Sequence, residues 1–357
     1  MNIGFFGSSL LSAYWNGAAT YYRGMIRALH ERGHRVTFFE PDAYERQSHR
    51  DLEPPDWAKV IVYENNPDAA LAEVERARSM DLVIKASGVG VFDELLEAAV
   101  LELQTERTLV CFWDVDAPAT LERVHQNPAD PFRSLISRYD AVLTYGGGSP
   151  VVDDYTFLGA KQCVPIYNAL DPSTHFPVEK IDRFAGDLSF LGNRLPDREQ
   201  RVEEFFLNPA LKLPERRFYL GGSGWGDKSL PSNVTYLGHV YTADHNALYS
   251  SSLAVLNISR DSMARYGFSP ATRVFEAAGA GACLITDAWE GIEQFFEPGD
   301  ELLVARDGAE VSEILAELNP ESAREIGRAA YRRAMADHTY AQRAEEFESV
   351  IEARAAV

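Results

Sequence analysis

The sequence predicts an α/β protein built of two doubly wound, Rossmann-like domains, and three observations carry that expectation. Short apolar runs alternate with amphipathic helical segments. The runs end in turns rich in glycine and aspartate. The alternation pauses near residue 165 and restarts near 188. Strands separated by helices, with such turns between them, indicate parallel sheets. Ligands of these sheets bind beyond the C-terminal ends of the strands, where the glycines and aspartates fall.

Asn2–Phe6 reads as a buried strand ending at Gly7, and an amphipathic segment from about Ala18 to Arg32 stops at Gly33. Val36–Phe39 is the next strand, before Pro41. Leu82–Ala86 follows, then Gly88-Val-Gly90 and a helix from about Asp93. Leu109–Trp113 and Ala141–Thr144 complete the first half, the latter running into Gly146-Gly-Gly148. Val164–Pro177 reads as a passage between domains. The second half repeats the pattern with Leu188–Leu191 before Gly192, Phe218–Leu220 before Gly221-Gly222 and Val234–Leu237 before Gly238. Ala254–Ile258 and Cys283–Thr286 are its last strands, and helical spacing of Arg, Ala and Glu begins at Ser322. The expected divisions are 1–170, 178–335 and a closing helical segment, 336–357, that braces the first domain.

Composition narrows the function. A chain of 357 residues is long enough for two full cores. An apolar fraction of 46% with 25% charged residues is that of a soluble globular protein. No apolar run reaches membrane-spanning length, and the N-terminus lacks the features of a signal peptide. Cys111, Cys163 and Cys283 stand in separate apolar contexts, so a reduced, cytoplasmic setting without a disulfide framework is expected. Histidines are scattered, with no Cys-x-x-Cys or His-Glu-x-x-His, and no metal site is expected. The net charge of −20 argues against nucleic acid as partner, because phosphate backbones are held by clustered Lys and Arg. A local basic pocket for one small phosphorylated ligand stays open.

Residues 267–287 are the most informative stretch. Ser269 can cap a helix, and Pro270 suits its first turn. The amides of Ala271, Thr272 and Arg273 would then face outward at the positive end of the helix dipole, a seat for phosphate. Glu276 shares a face with Ser269, Thr272 and Arg273. It stands ~10 Å from the cap at ~1.5 Å per residue, within reach of a ribose whose phosphates sit at the helix start. The same residues also fit a plain surface helix.

Two further groups of residues carry a resemblance. Asn168-Ala-Leu-Asp171 … Phe176-Pro177 resembles the Asn-Gly-Val-Asp … Phe-x-Pro passage that closes the first domain of GT-B glycosyltransferases. Phe190-Leu-Gly-Asn193 … Arg198-Glu199, the 267–287 block and His338-Thr-Tyr340 … Arg343 are similar to the CgeB-like (spore maturation protein) group. The resemblance extends over roughly 165–345. It implies transfer of a sugar from a nucleoside diphosphate sugar, such as a UDP-sugar, to an acceptor hydroxyl in the cleft between domains. It implies no required metal and no separate cofactor. Many retaining members carry two glutamates with seven residues between them. Glu276 matches the second, which binds ribose, but the first position is Phe268. The sugar and the stereochemical outcome therefore stay open.

On that resemblance the donor seat comprises strand-end backbone at Gly192, Asn193, Gly221 and Gly222, where a ligand can approach closely. His239 and Val240 stand where relatives hold the base through main chain. Arg260 and Arg273 would neutralise the diphosphate. Tyr266 either stacks on the base or packs, and Gly267, Phe268, Ser269, Thr272 and Glu276 complete the helix start. On the acceptor side stand Asn16, Gly17 and Ala18, which open the helix after the first strand, and Gly147. In Trp113-Asp114-Val-Asp116-Ala-Pro118, either Asp116 or Asp114 is a candidate general base, while Asp116 equally suits a helix cap. The Asp-x-Asp pair is not read as a metal pair, since the fold that uses one needs no second Rossmann half. His125 and His175 have no informative context. The rivals are a nucleotide-sugar epimerase of the same layout and a binding protein that lost catalysis. A dehydrogenase is disfavoured because Gly4, Gly7 and Gly17 are wrongly spaced for a dinucleotide fingerprint.

Overall fold

In the computed structural model, which describes residues 1–355, the first seven strands form one parallel sheet. They are β1 (Asn2–Phe6), β2 (Arg35–Pro41), β3 (Lys59–Tyr63), β4 (Leu82–Ala86), β5 (Leu109–Asp114), β6 (Ala141–Thr144) and β7 (Cys163–Pro165), in the order β3-β2-β1-β4-β5-β6-β7. The connecting helices are α1 (Ala19–Glu31), α2 (Pro67–Arg76), α3 (Asp93–Ala99), α4 (Ala117–Gln126), α5 (Pro131–Leu135) and α6 (Gly148–Phe157). Register between β1 and β2 pairs Phe5 with Phe38 and Phe6 with Phe39, and both ring pairs stack, at 5.3 and 4.6 Å. A β-carbon at Gly7 would lie 2.4 Å from the Phe38 ring, which is why β1 must run out in glycine.

The second unit carries β8 (Leu188–Leu191), β9 (Phe218–Gly221), β10 (Val234–Gly238), β11 (Ala254–Asn257), β12 (Leu284–Asp287) and β13 (Leu303–Ala305). All run parallel in the order β10-β9-β8-β11-β12-β13. Its helices are α7 (Pro196–Val202), α8 (Asn208–Lys212), α9 (Thr242–Ser251), α10 (Asp261–Tyr266), α11 (Thr272–Gly279), α12 (Gly308–Glu317) and α13 (Pro320–Asp337). Phe190, Phe206, Phe218, Leu220, Trp225 and Leu256 are among the residues that fill its core. The strand order reverses between β8 and β11, so the crevice of this sheet opens beyond Leu191 and Asn257.

By its contacts the chain divides into Met1–Asn168 with the segment from Tyr340 onward, and Ala169–Thr339. The last helix, α14 (Tyr340–Ala355), therefore belongs to the first unit. It seats on α1, where a β-carbon at Gly24 would meet the Tyr340 ring at 2.2 Å, and Phe347 stacks on Trp113 at 5.4 Å. The helical pattern read from Ser322 resolves into two helices because the chain leaves helical geometry at His338, where φ is −134°.

Three strands escaped the sequence reading. β3 is a half-exposed edge strand, and β7 and β13 have three residues each, too short for an alternation to register. Among the described residues no helix is long and apolar enough to cross a membrane.

Candidate functional site

The C-terminal edge of the second sheet is shaped by glycines that tolerate nothing larger. Gly222 has φ +117°, and a β-carbon there would lie 2.3 Å from the Gly192 carbonyl oxygen. Its N–H donates to Gly238 O at 2.7 Å, and Gly192 N–H donates to Gly221 O at 3.0 Å. The Trp225 indole donates to Gly192 O at 2.8 Å, and the Tyr236 hydroxyl donates to Gly222 O at 2.9 Å. Asn193 accepts from Ser223 N–H at 2.9 Å. At Gly221 a β-carbon would meet Leu191 and Val240 at 2.8 and 2.9 Å. Gly238, at φ +70°, faces open space instead. The bare backbone is thus fixed in place rather than loose.

Two guanidinium groups converge on that backbone. A β-carbon at Gly192 would stand 3.0 Å from Arg198 Nη1 and 3.1 Å from Arg273 Nη2. Arg273 is held there by Nη1 donating to Asn257 Oδ1 at 2.9 Å and by lying 5.0 Å over the Phe190 ring, a cation–π contact. Arg260 Nε donates to Asp197 at 2.7 Å, so part of its charge is already matched. Fully buried Asp287 anchors the adjoining turn, accepting from Ser259 N–H at 3.1 Å and from Arg201 at 2.6 Å. Burial raises the Asp287 carboxyl above its ordinary range, with Arg201 opposing. Four arginines thus gather at one sheet edge of a chain whose net charge is −20. The sequence reading named Arg260 and Arg273 but gave no site role to Arg198 and Arg201. Their signal was present: both lie on α7, three residues apart, just after the Gly192 turn.

Helix α11 corrects one expectation. Ser269 does not cap it: its hydroxyl donates to Gly267 O at 2.8 Å, and the helix starts at Thr272 with Ala271 at the cap position. Val274 N–H bonds back to Ala271 O at 3.0 Å, so Thr272 and Arg273 supply the outward-facing amides. Glu276 therefore stands ~7.5 Å from the cap position rather than ~10 Å, at ~1.5 Å per residue. The preceding turn is tight. Gly267 has φ +72°, and its β-carbon would meet the Glu290 backbone at 2.9 Å. Phe268, at φ +46°, donates its N–H to Glu290 O at 2.6 Å, and its ring covers Gly291. Tyr266 closes α10 and is half-buried.

Glu276 is only 5% exposed, and among the described residues no side chain or amide hydrogen-bonds its carboxylate. Beside it lie two histidines, His175 and His245, each pushed down to about 4 by burial. His245 Nε2 lies 3.3 Å from the carbonyl oxygen of Val240. His239 is exposed and sets its ring edge-on to Tyr241 at 4.5 Å.

In the first unit the candidate residues take different roles. Asn16 braces its loop, donating to Ser9 O at 2.8 Å and Ser12 O at 3.0 Å and accepting from Ser8 at 2.9 Å. Gly17 is exposed with open space around it, and Ala18 precedes α1 at its cap position. Gly147 precedes α6 at its cap position with φ +94°, its β-carbon position 2.1 Å from Val151. Asp114 is fully buried. It accepts from the Tyr155 hydroxyl at 2.6 Å, Ser87 at 2.7 Å, Thr120 at 3.0 Å and Asp116 N–H at 3.0 Å. Its lone pairs are spent on the fold, which leaves Asp116 as the base candidate of the pair. Asp116 occupies the cap position of α4 without a side-chain cap bond and is half-buried.

Comparison with known proteins agrees with this layout. The family described as glycosyl transferase-like matches residues 198–349. No curated protein gives a significant sequence match. Among solved structures, sucrose-phosphate synthase from Thermosynechococcus elongatus is 15% identical, covers 99% of this chain and 98% of its own, and superposes with a TM-score of 0.71. HepE of Anabaena, solved in complex with UDP and glucose, is 15% identical over 99% of this chain and 100% of its own, with a TM-score of 0.70. An α-glucosyltransferase solved with UDP and a 13-mer DNA is 11% identical over 99% of both chains, also at 0.70. The chain has the GT-B fold.

Proposed function

We propose that the protein transfers a glycosyl group from a uridine diphosphate sugar to an acceptor hydroxyl, and that its second unit holds the donor. The observation that carries this reading is the convergence of Arg198 and Arg273 on the side-chain-free Gly192 turn, at the sheet's topological switch point. Fork-shaped donors beside bare backbone suit the oxygens of a diphosphate, and the Thr272 and Arg273 amides add the positive end of α11. The glycosidic bond to the diphosphate breaks, and these groups take up the charge that develops on the leaving oxygens. The acceptor oxygen bonds to the anomeric carbon as its proton passes to a carboxylate base, the role for which Asp116 is the candidate.

Glu276 would accept from the ribose hydroxyls, and the main chain at Gly238–Val240 would meet the base. In this reading guanidinium groups, with no metal, neutralise the leaving group. The motifs at 190–199, 267–287 and 338–343 support a CgeB-like reading, in which the transferred unit is a hexose. Three buried free cysteines suit a reducing, cytoplasmic setting. The epimerase alternative is not favoured by the family match or by the structural neighbours.

Isothermal titration with UDP tests the donor assignment: binding is expected, and silence with UDP, ADP and GDP alike would overturn it. Glu276→Ala is expected to weaken UDP by roughly 1–3 kcal/mol, the range for charge-assisted hydrogen bonds. An unchanged affinity would remove the ribose role.

A further inference from the structure

The geometry points to a site for one divalent transition metal of the zinc class, formed by His175, His245 and Glu276. The three residues come from separate segments: the loop before Phe176, helix α9 and helix α11. Each offers one ligand atom, and these atoms lie within 4.8 Å of one another. His175 is 1% and Glu276 5% exposed, so the cluster sits inside the second unit.

The hydrogen bonds around the imidazoles decide which nitrogens face inward. A carbonyl oxygen can only accept, so His245 carries its proton on Nε2, toward Val240 O at 3.3 Å, and its Nδ1 is a bare lone pair. The Thr174 hydroxyl stands 3.1 Å from Asp171 O and 3.0 Å from His175 Nδ1, so with its own proton on the carbonyl it is placed to accept from Nδ1–H. In that tautomer His175 Nε2 is free to ligate. His175 Nε2 and His245 Nδ1 face each other at 3.4 Å, a contact that either one shared proton or one metal ion can bridge. Two nitrogens each ~2.05 Å from a tetrahedral zinc stand ~3.3 Å apart, close to the spacing found here.

The outer contacts also suit a metal. Ligating histidines commonly give their second N–H to a protein oxygen, and here Val240 O and the Thr174 hydroxyl are placed to accept. The third member is a buried carboxylate to which no other described side chain or amide donates. Two imidazoles and one carboxylate form a three-ligand set with a fourth position left for water or another oxygen ligand. Sequence spacing concealed it, because the ligands are separated by about 70 and about 30 residues, not arranged in a compact motif.

Glu276 also carries the proposed ribose role, so one carboxylate oxygen would serve each ligand. Metal uptake is measured without nucleotide, where failure of the donor assignment leaves the result unaffected. The full chain, treated with a chelator and dialysed, is titrated with Zn²⁺ alone and, separately, with Co²⁺ while visible absorbance is recorded. One equivalent of Zn²⁺ and the intense visible bands of four-coordinate Co²⁺ are expected. His245→Asn and His175→Asn should each weaken uptake roughly tenfold or more, since even loss of an outer-shell partner costs about that much. Thermal melting without metal establishes that each variant is folded. Zn²⁺ should raise the melting midpoint of the unsubstituted protein and not that of the variants. No uptake by the unsubstituted chain, weak six-coordinate Co²⁺ bands, or equal uptake by both folded variants would overturn the site.

Discussion

Asp114 and Asp116 are chemically identical and two residues apart, yet the fold surrounds them differently: Asp114 is fully buried and Asp116 half-buried. Four donors surround Asp114, and burial raises its carboxyl above the ordinary range despite those hydrogen bonds. Asp114→Asn turns an acceptor-only group into one with an N–H₂ facing other donors. It is expected to destabilise the protein by roughly 1–3 kcal/mol, the cost of unsatisfied buried polar groups, as read in urea unfolding. Asp116→Asn should leave unfolding unchanged while lowering turnover by roughly 10²–10⁴, the usual contribution of a general base. Equal effects of the two substitutions on stability would defeat the distinction. Sequence alone left the pair undivided, because a strand-end Asp-x-Asp does not reveal which carboxylate turns inward. Ser269 shows the same limit: its residue type suits a cap, but a local carbonyl claimed the hydroxyl.

Among the elements, strand-end turns separate glycines that are required from glycines that are incidental. Gly222 combines a left-handed φ of +117° with a carbonyl oxygen 2.3 Å from any β-carbon, while Gly17 has nothing within 4 Å and an ordinary φ. Gly222→Ala should cost roughly 2 kcal/mol or more, from left-handed strain together with overpacking, and should weaken UDP binding because the Gly192 turn must move. Gly17→Ala should stay within about 0.5 kcal/mol of the unsubstituted protein. Melting curves with and without UDP check both. A harmless Gly222→Ala would show that the turn is softer than its geometry implies. In the sequence Gly222 reads as a strand-end turn of the donor seat and Gly17 as part of the turn that opens the first helix; only the neighbouring chain tells which of them must be glycine.

For the molecule as a whole, the pH dependence of stability is expected to bear the mark of one buried cluster in the first unit. Lys85 is fully buried and donates to Asp93 at 2.5 Å, with Glu97 at 3.9 Å. Burial pushes Glu97 up from 4.5 to about 7, with Asp93 reinforcing and Lys85 opposing. Between those values the unfolded chain has released the proton that the folded chain still holds. Stability from this group is therefore complete below pH 4.5 and lost as pH rises through 7. At about 1.4 kcal/mol per unit, the total is on the order of 3 kcal/mol. Glu97→Gln removes this loss, so the variant should gain on the unsubstituted protein between pH 5 and 8 in urea unfolding. Parallel profiles would contradict the assignment.

Most of the fold was legible in the sequence, since parallel strands buried on both faces appear as apolar runs of their own. The strands Asn2–Phe6, Leu82–Ala86, Ala141–Thr144 and Leu188–Leu191 were read with their observed bounds, while the half-exposed edge strand Lys59–Tyr63 and the three-residue strands gave no comparable signal. The helix-and-glutamate element at 272–276 was legible because its pattern is local. What only the tertiary structure decided depends on distance across the chain. Arg198 and Arg273 meet over Gly192, Asp114 is sealed among Ser87, Thr120 and Tyr155, and His175 faces His245. Periodicity fixes what a segment buries; packing of segments far apart in sequence fixes which polar groups are left to act on a ligand.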